Sequence, residues 1–535
     1  MKFGFSILDR TGHAENYLFM GGRFGFGDLP GNPLLSPQLQ STSITAVQAF
    51  DLGLPQSYQQ GFGDPMLRFA APYYAFYAQD SWNPRSDFTL NFGLRYELDV
   101  RNTQVPTDRN NFAPRIGFAW DPWNNKRTVV RGGFGIYYAQ IYGQIDAVVT
   151  ALGEINGYRQ IAQVLSPLMR DKPLAPNGPI NIYQTLRAQG VIGVPTSSRT
   201  IQPSDLTQFG IYVSHTGPRP PLTVLFQIDP NYRNPYSEQG SLGIEHEISS
   251  GLSASASYIF ARTARIARAR DLNLIPRPPG SLGISNWADP ACAGAGIYSC
   301  FKDPALYQNN NYESTANAFY HGMILEISKR FGSNASLACN YTFSKAIDEV
   351  TDSNSDYQAN DQTNLRAERA LSAFDQRHKV VFYAYLQSPY HADPADSLAK
   401  HLLADFALTP VFRYNSARPF NLLTGVDING DRHSTTDRPI FAGRNTGIGP
   451  DYWTFDLRLG RVIRLGGESR ILELMAEAFN MFNRLNYASV NNTVGPNFSG
   501  PFHVPANPNL GPSAPLGYTS AVEARRFQLG LRFSF

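Results

Sequence analysis

FTLNFGLRYELDV, residues 88–100, alternates without a break. Phe88, Leu90, Phe92, Leu94, Tyr96, Leu98 and Val100 are apolar; Thr89, Asn91, Gly93, Arg95, Glu97 and Asp99 are polar or small. A β-strand sends successive side chains to opposite faces, so this segment has one apolar face and one charged face. Its thirteen positions exceed the roughly 5–6 residues of an ordinary strand. They suit the tilted strands of about 9–11 residues, apolar outward and polar inward, that cross an outer membrane. The end of the chain repeats the pattern. Phe527, Leu529, Leu531, Phe533 and Phe535 alternate with Arg526, Gln528, Gly530, Arg532 and Ser534. The pattern predicts an all-β fold, an antiparallel transmembrane β-barrel.

The totals agree with that reading. A chain of 535 residues is one very large sheet or several domains. Aromatics reach 13%, with 28 Tyr and 35 Phe, while mean hydropathy is only −0.29. With no apolar run of about 18 residues, a helical membrane protein is excluded. A barrel escapes that test, because only alternate residues face lipid. The net charge of +3 is too small to support nucleic-acid binding. A propeller would show a repeat of about 40–50 residues, which is absent.

Along the chain, Tyr73–Trp82 and the Phe88 strand form a hairpin around a turn at Asn83-Pro84. Strands follow at 115–120, 128–138, 222–228, 240–248, 251–262, 319–331, 335–345, 379–386, 402–414, 455–465 and 471–482. With Tyr17–Phe26 and the first residues, the expected total is about sixteen. Glycines on both faces of 128–138 predict close packing or strong curvature. Residues 43–52 read as a short helix or an inter-strand segment. Ile141–Pro221 and Asp271–Asn317 lose the alternation and read as long loops, which in outer-membrane barrels face outward. MKFGFSILDR, broken by Asp9 and Arg10, is a strand rather than a signal peptide. The expectation is an N-terminally truncated chain whose Met1 lies inside a longer ancestral protein.

No catalytic motif is present: no G-x-S-x-G, no H-E-x-x-H and no phosphate-binding loop. Asp427, Asn429 and Asp431 in DINGDRHSTTD (427–437) space oxygens as calcium loops do. Gly430 is out of place for that motif, however, and the closing Glu is missing, so a hydrated acidic loop is favoured. Arg262, Arg265, Arg268 and Arg270 read as solvated loop charges, with contacts to lipid phosphate as the alternative. Arg95, Glu97, Asp99, Glu473 and Glu477 occupy expected inner faces and read as structural pairs. Cys292 and Cys300 flank a Gly-rich loop and are equally compatible with a disulfide and with two free thiols. Their spacing matches no zinc signature.

Several segments resemble the TonB-dependent outer-membrane receptors, in particular their Oar-like barrel branch. They are YYAFYAQDSW with FTLNFGLRYELDV, NFAPRIGFAWDPWNNKRTVVRGGFGIYYAQ, ALSAFDQRHKVVFYAYL, Asp437 to Pro439, AEAFNMFNRLNY and the terminal Phe. The resemblance implies a 22-stranded barrel, of which this chain holds about sixteen strands, with a plug moved by TonB. No plug or TonB box is recognised here, so the TonB system is an expected partner only with an upstream plug. The resemblance also implies that Leu531, Phe533 and Phe535 form the signal read by barrel-assembly machinery. The chain is thus expected to be a monomeric, non-enzymatic outer-membrane barrel over residues 1–535, contacting outer-membrane lipid. It would bind an unidentified ligand through external loops and need no cofactor. A structural or adhesive barrel without transport is the alternative.

Overall fold

The computed structural model describes all residues except 16, 18, 28–43, 56, 64, 102–103, 154–158, 165–177, 194–197, 214–222, 276–300, 304–305, 363, 391–396, 426–427, 429–430, 440–441, 466–469 and 501–502. Fourteen strands form an up-and-down wall. They are β1 (Lys2–Leu8), β2 (Tyr73–Arg85), β3 (Phe88–Asp99), β4 (Asn111–Trp120), β5 (Thr128–Tyr138), β6 (Tyr236–Ser249) and β7 (Leu252–Asp271). The wall continues with β8 (Leu306–Phe331), β9 (Ala335–Asp348), β10 (His378–Gln387), β11 (Phe406–Asn415), β12 (Tyr452–Arg464), β13 (Ile471–Phe479) and β14 (Arg526–Ser534). Each pairs antiparallel with the next. Among the described residues, β1 and β14 each have one wall neighbour.

Five shorter strands bring the sheet to 19. Thr223–Ile228 runs parallel to the start of β8 and leads to Arg159–Val164, Ser57–Phe62 and Arg23–Gly25. The 222–228 strand read as wall therefore belongs to a layer at one end, and only Arg23–Gly25 of Tyr17–Phe26 is a strand. The Tyr73 hairpin forms as expected but turns at Ser86-Asp87. Strand β2 continues through Asn83-Pro84, where a register shift between Trp82 and Arg85 accommodates a residue that cannot donate to the ladder.

All links at one end of the wall are short except 388–405, which holds the helix Leu398–Leu403. Residues 402–405 therefore lie before β11, not in it. The other end carries the remaining long connections. Strand β1 runs toward that end and β14 away from it, which puts both termini on the short-link side. Expected loops prove partly structured. Ile141–Pro221 contains helices Gly143–Leu152 and Pro179–Ala188, and β8 begins at Leu306, well inside Asp271–Asn317. Residues 43–52 contain the helix Ala46–Asp51, started by a Thr45/Gln48 capping box.

The distribution of apolar side chains is inverted relative to a water-soluble protein. Large buried residues gather at the long-loop end. Ile145, Val149 and Leu152 lie at helical spacing on one face and pack with Val224, Phe226, Tyr232 and Tyr312. A second core joins Tyr58 and Phe62 to Ile182, Leu186, Leu206 and Phe209. The wall instead exposes Phe92, Leu94, Leu242, Ile244, Leu325, Ile327 and Leu459. Register places these outward residues side by side across strands, as in Leu94 opposite Ala78 and Leu325 opposite Tyr341. Such a band is unfavourable in water and favourable against hydrocarbon. Gly132 serves that face: a Cβ there would lie 2.5 Å from Phe118 Cε1.

Candidate functional site

The inner face of the wall is polar, and several of its charges are paired. Arg95 Nε donates to Glu97 Oε1 at 2.6 Å and its Nη2 to the Tyr73 hydroxyl at 3.3 Å. Arg458 lies 3.3 Å from Glu473 and 3.9 Å from Glu477. Arg131 reaches Glu245 at 3.2 Å. The pairing read from alternation is therefore present, within strands and between them. The same cations turned toward lipid would each cost about 2–4 kcal/mol at mid-bilayer. Two polar hollows of about 690 Å3 and 610 Å3 lie near the short-link end. The first is lined by Lys2, Gln79, Asn91, Arg95 and Arg115, the second by Arg127, Arg131, Glu245, Glu326 and Arg330.

The long-loop end is fastened by buried ionic clamps. Asp99 pairs with both Arg10 and Arg101 and accepts the Ile141 amide at 3.2 Å. Asp108, fully buried, accepts the Asn234 amide at 3.2 Å and faces Arg233 at 3.4 Å and Arg265 at 3.6 Å. Glu368 takes a two-pronged contact from Arg438, and its carbonyl accepts from Arg444 Nε at 2.7 Å. Arg444 also pairs with Asp348. His433 Nε2 lies 3.4 Å from Asp271, and Arg432 stacks over Phe301 at 3.6 Å.

The arginine run lies within β7 rather than in a loop, and each of its cations has a carboxylate nearby. Arg262 pairs with Glu238 at 3.3 Å and Arg265 with Asp108. Glu313 lies 3.7 Å from Arg268 and 2.8 Å from Arg270. In the acidic loop, Asp427 and Asn429 fall outside the described residues. Asp431 accepts from the His433 amide at 2.9 Å and from Gln362 at 3.3 Å, and Asp437 accepts from the Ile428 amide at 2.8 Å. Among the described residues, no group of three His, Cys, Asp or Glu is arranged to hold a metal. Cys292 and Cys300 also lie outside them. Leu531, Phe533 and Phe535 stand exposed on the outward side of the last strand, and the Phe533 and Phe535 rings stack at 5.9 Å. Glu368, Arg444 and Asp108 were not singled out from sequence. Their partners are distant along the chain, and only Asp437 to Pro439 carried any signal.

Residues 1–105, 99–443 and 441–502 match the family model described as outer membrane beta barrel domain. The TonB-dependent transporter Oar of Myxococcus xanthus is 24% identical over 192 residues, which cover 34% of this chain and 16% of that protein. The outer membrane transporter YddB of Escherichia coli superposes with a TM-score of 0.49 at 12% identity, over 90% of this chain and 50% of that one. The ferric enterobactin receptor PfeA of Pseudomonas aeruginosa does so with a TM-score of 0.45 at 13% identity, over 90% and 51%. The chain therefore spans about half the length of these solved proteins and far less of the curated relative. The alternating wall, its outward apolar band and the family match along most of the sequence place the chain in the outer membrane, as a member of the outer membrane beta barrel domain family.

Proposed function

We propose that the chain is the barrel portion of a TonB-dependent receptor, which binds a ligand at its long-loop end and passes it along the polar inner face. One observation carries this reading. A folded, clamped layer at the loop end leads to a polar inner wall on which several charges are paired. Loops on a rigid scaffold suit recognition, and a polar inner face suits passage of a polar solute. Ile141–Pro221 and Asp271–Asn317 are the proposed ligand-facing segments. Energised uptake needs a plug and the TonB system, supplied with the barrel. The resemblance to Oar supports this reading over an adhesive barrel. The test is swelling of vesicles that contain the purified full chain, suspended in a raffinose-type oligosaccharide. Sugar-dependent swelling above that of empty vesicles is expected. A folded, inserted chain that leaves vesicles osmotically tight would favour the adhesive alternative.

A further inference from the structure

Near its long-loop end the mostly apolar outward face carries, besides the Arg262–Glu238 pair, a second polar group. His321 on β8 lies directly opposite Lys345 on β9, and one pair further down Phe343 lies opposite His378 on β10. Phe343 and Lys345 share the outward face two residues apart, so the ammonium stands directly beside one imidazole and diagonally across from the second, on three adjacent strands.

Both rings are held the same way. The Tyr258 hydroxyl is hydrogen-bonded to His321 Nδ1 at 2.6 Å, and the Tyr341 hydroxyl to His378 Nδ1 at 2.8 Å. Phe260 and Phe343 pack on the two rings at 5.3 and 5.4 Å. In each case the hydroxyl fixes the ring through Nδ1, and Nε2 has no partner among the described residues. Lys345 is exposed and has no ion-pair partner among them. Arg377 stands beside the group, 6.0 Å from the Phe343 ring and 3.2 Å from Asp375.

The height of the group identifies its surroundings. Counted from the short turn at 332–334, His321 and Lys345 are each the eleventh residue of their strands, and His378 is the tenth of β10. A tilted strand crosses hydrocarbon in about 9–11 residues. These side chains therefore stand where the apolar core gives way to headgroups, on the side of the long loops. Directly below them the same strands carry Met323, Phe343 and Val380 toward lipid.

We propose that Lys345, His321 and His378 form a docking site for the phosphate of an outer-leaflet glycolipid whose acyl chains lie on the band beneath. The ammonium supplies charge, the two Nε2 atoms supply directed contacts, and the continuous apolar band supplies the chain contacts.

The test uses the full chain in detergent, titrated with fluorescent diphosphoryl lipid A and with its phosphate-free counterpart. The wild type is expected to prefer the phosphorylated form. Lys345→Gln should reduce that preference about five-fold, as expected for one interfacial cation, and His321→Asn with His378→Asn should reduce it further. Arg461→Gln, outward-facing near the opposite end, should leave it intact, and millimolar inorganic phosphate should not displace the lipid. Heat-modifiable gel mobility checks that each variant is folded. Equal preference in the wild type, Lys345→Gln and the double variant would overturn the site. So would displacement by free phosphate, or an equal loss in Arg461→Gln.

Discussion

Glu368 and Arg438, 70 positions apart, meet in a parallel two-bond contact, with Nη1 to Oε2 at 3.1 Å and Nη2 to Oε1 at 2.6 Å. Both side chains are more than nine-tenths buried. The contact pins the segment before β10 to the one before β12. Because the pair is desolvated, its loss is asymmetric. Glu368→Ala leaves a buried guanidinium without its carboxylate and should destabilise the fold by about 3–5 kcal/mol. Replacing both partners, as in Glu368→Leu with Arg438→Met, should cost far less. Urea unfolding of the detergent-solubilised chain measures the difference. Equal losses in the single and double variants would show that the contact is not coupled.

The outward band makes a directional prediction for charge. Leu325 is the seventh residue of β8 from the short turn, mid-way through a membrane crossing of about 9–11 residues, on the outward face opposite Ala256 and Tyr341. Leu325→Arg should weaken folding into lipid vesicles by about 2–4 kcal/mol. Ser257→Arg, on the inward face at the neighbouring position of β7, should change it by less than about 1 kcal/mol. Reversible urea titrations in vesicles read both. A larger penalty at Ser257 than at Leu325 would mean that the two faces are assigned the wrong way round.

Cys339 supplies a probe already in the chain. It lies on the outward face of β9, opposite Ile327 and Phe382. In a bilayer, its thiol should resist a charged, water-soluble maleimide and react with a lipophilic one; in denaturant both should react. Rapid labelling of Cys339 by the charged reagent in the folded, inserted chain, located by peptide mapping because Cys292 and Cys300 are also present, would place Cys339 in water and contradict the register.

At the long-loop end, Arg199 grips Asp205 through two bonds of 2.7 Å, and the Gln202 amide donates to the same carboxylate at 2.7 Å. Arg199 holds the Asp205 carboxyl below its ordinary range, opposed by partial burial. A lowered folded value means that Asp205's contribution is fully present above the ordinary Asp value of about 3.9 and disappears as pH falls through the folded value. Hydrogen-exchange protection of residues 203–211, corrected for intrinsic rates, should therefore hold from neutral pH to about 4 and then fall. Asp205→Asn should remove that acid step and lower protection at neutral pH. An identical acid profile in the variant would assign the step to another group.

What was legible in the sequence was what a two-residue period can encode. Residues 88–100 and 526–535 showed strand, face and membrane at once, because hydrocarbon on one side and polar surroundings on the other force strict alternation. Above the membrane that pressure stops. Asn309, Asn310 and Asn311 continue β8 in ladders with β7 and Thr223–Ile228, yet they have no apolar alternation and read as loop. Short helices such as Gly143–Leu152 were hidden between glycines, and showed themselves only by the cores they build.

The sequence alone thus determined the strand class, the two-faced wall and which end carries the long connections, since all three follow from local spacing. Only the tertiary structure decided the partners. It matched Glu368 with Arg438 and Asp108 with Arg265, and set His321, Lys345 and His378 on three adjacent strands. The reason is physical. Alternation is set residue by residue by the solvent on each face, whereas an ion pair or a row across strands depends on register between distant segments, which no local pattern records.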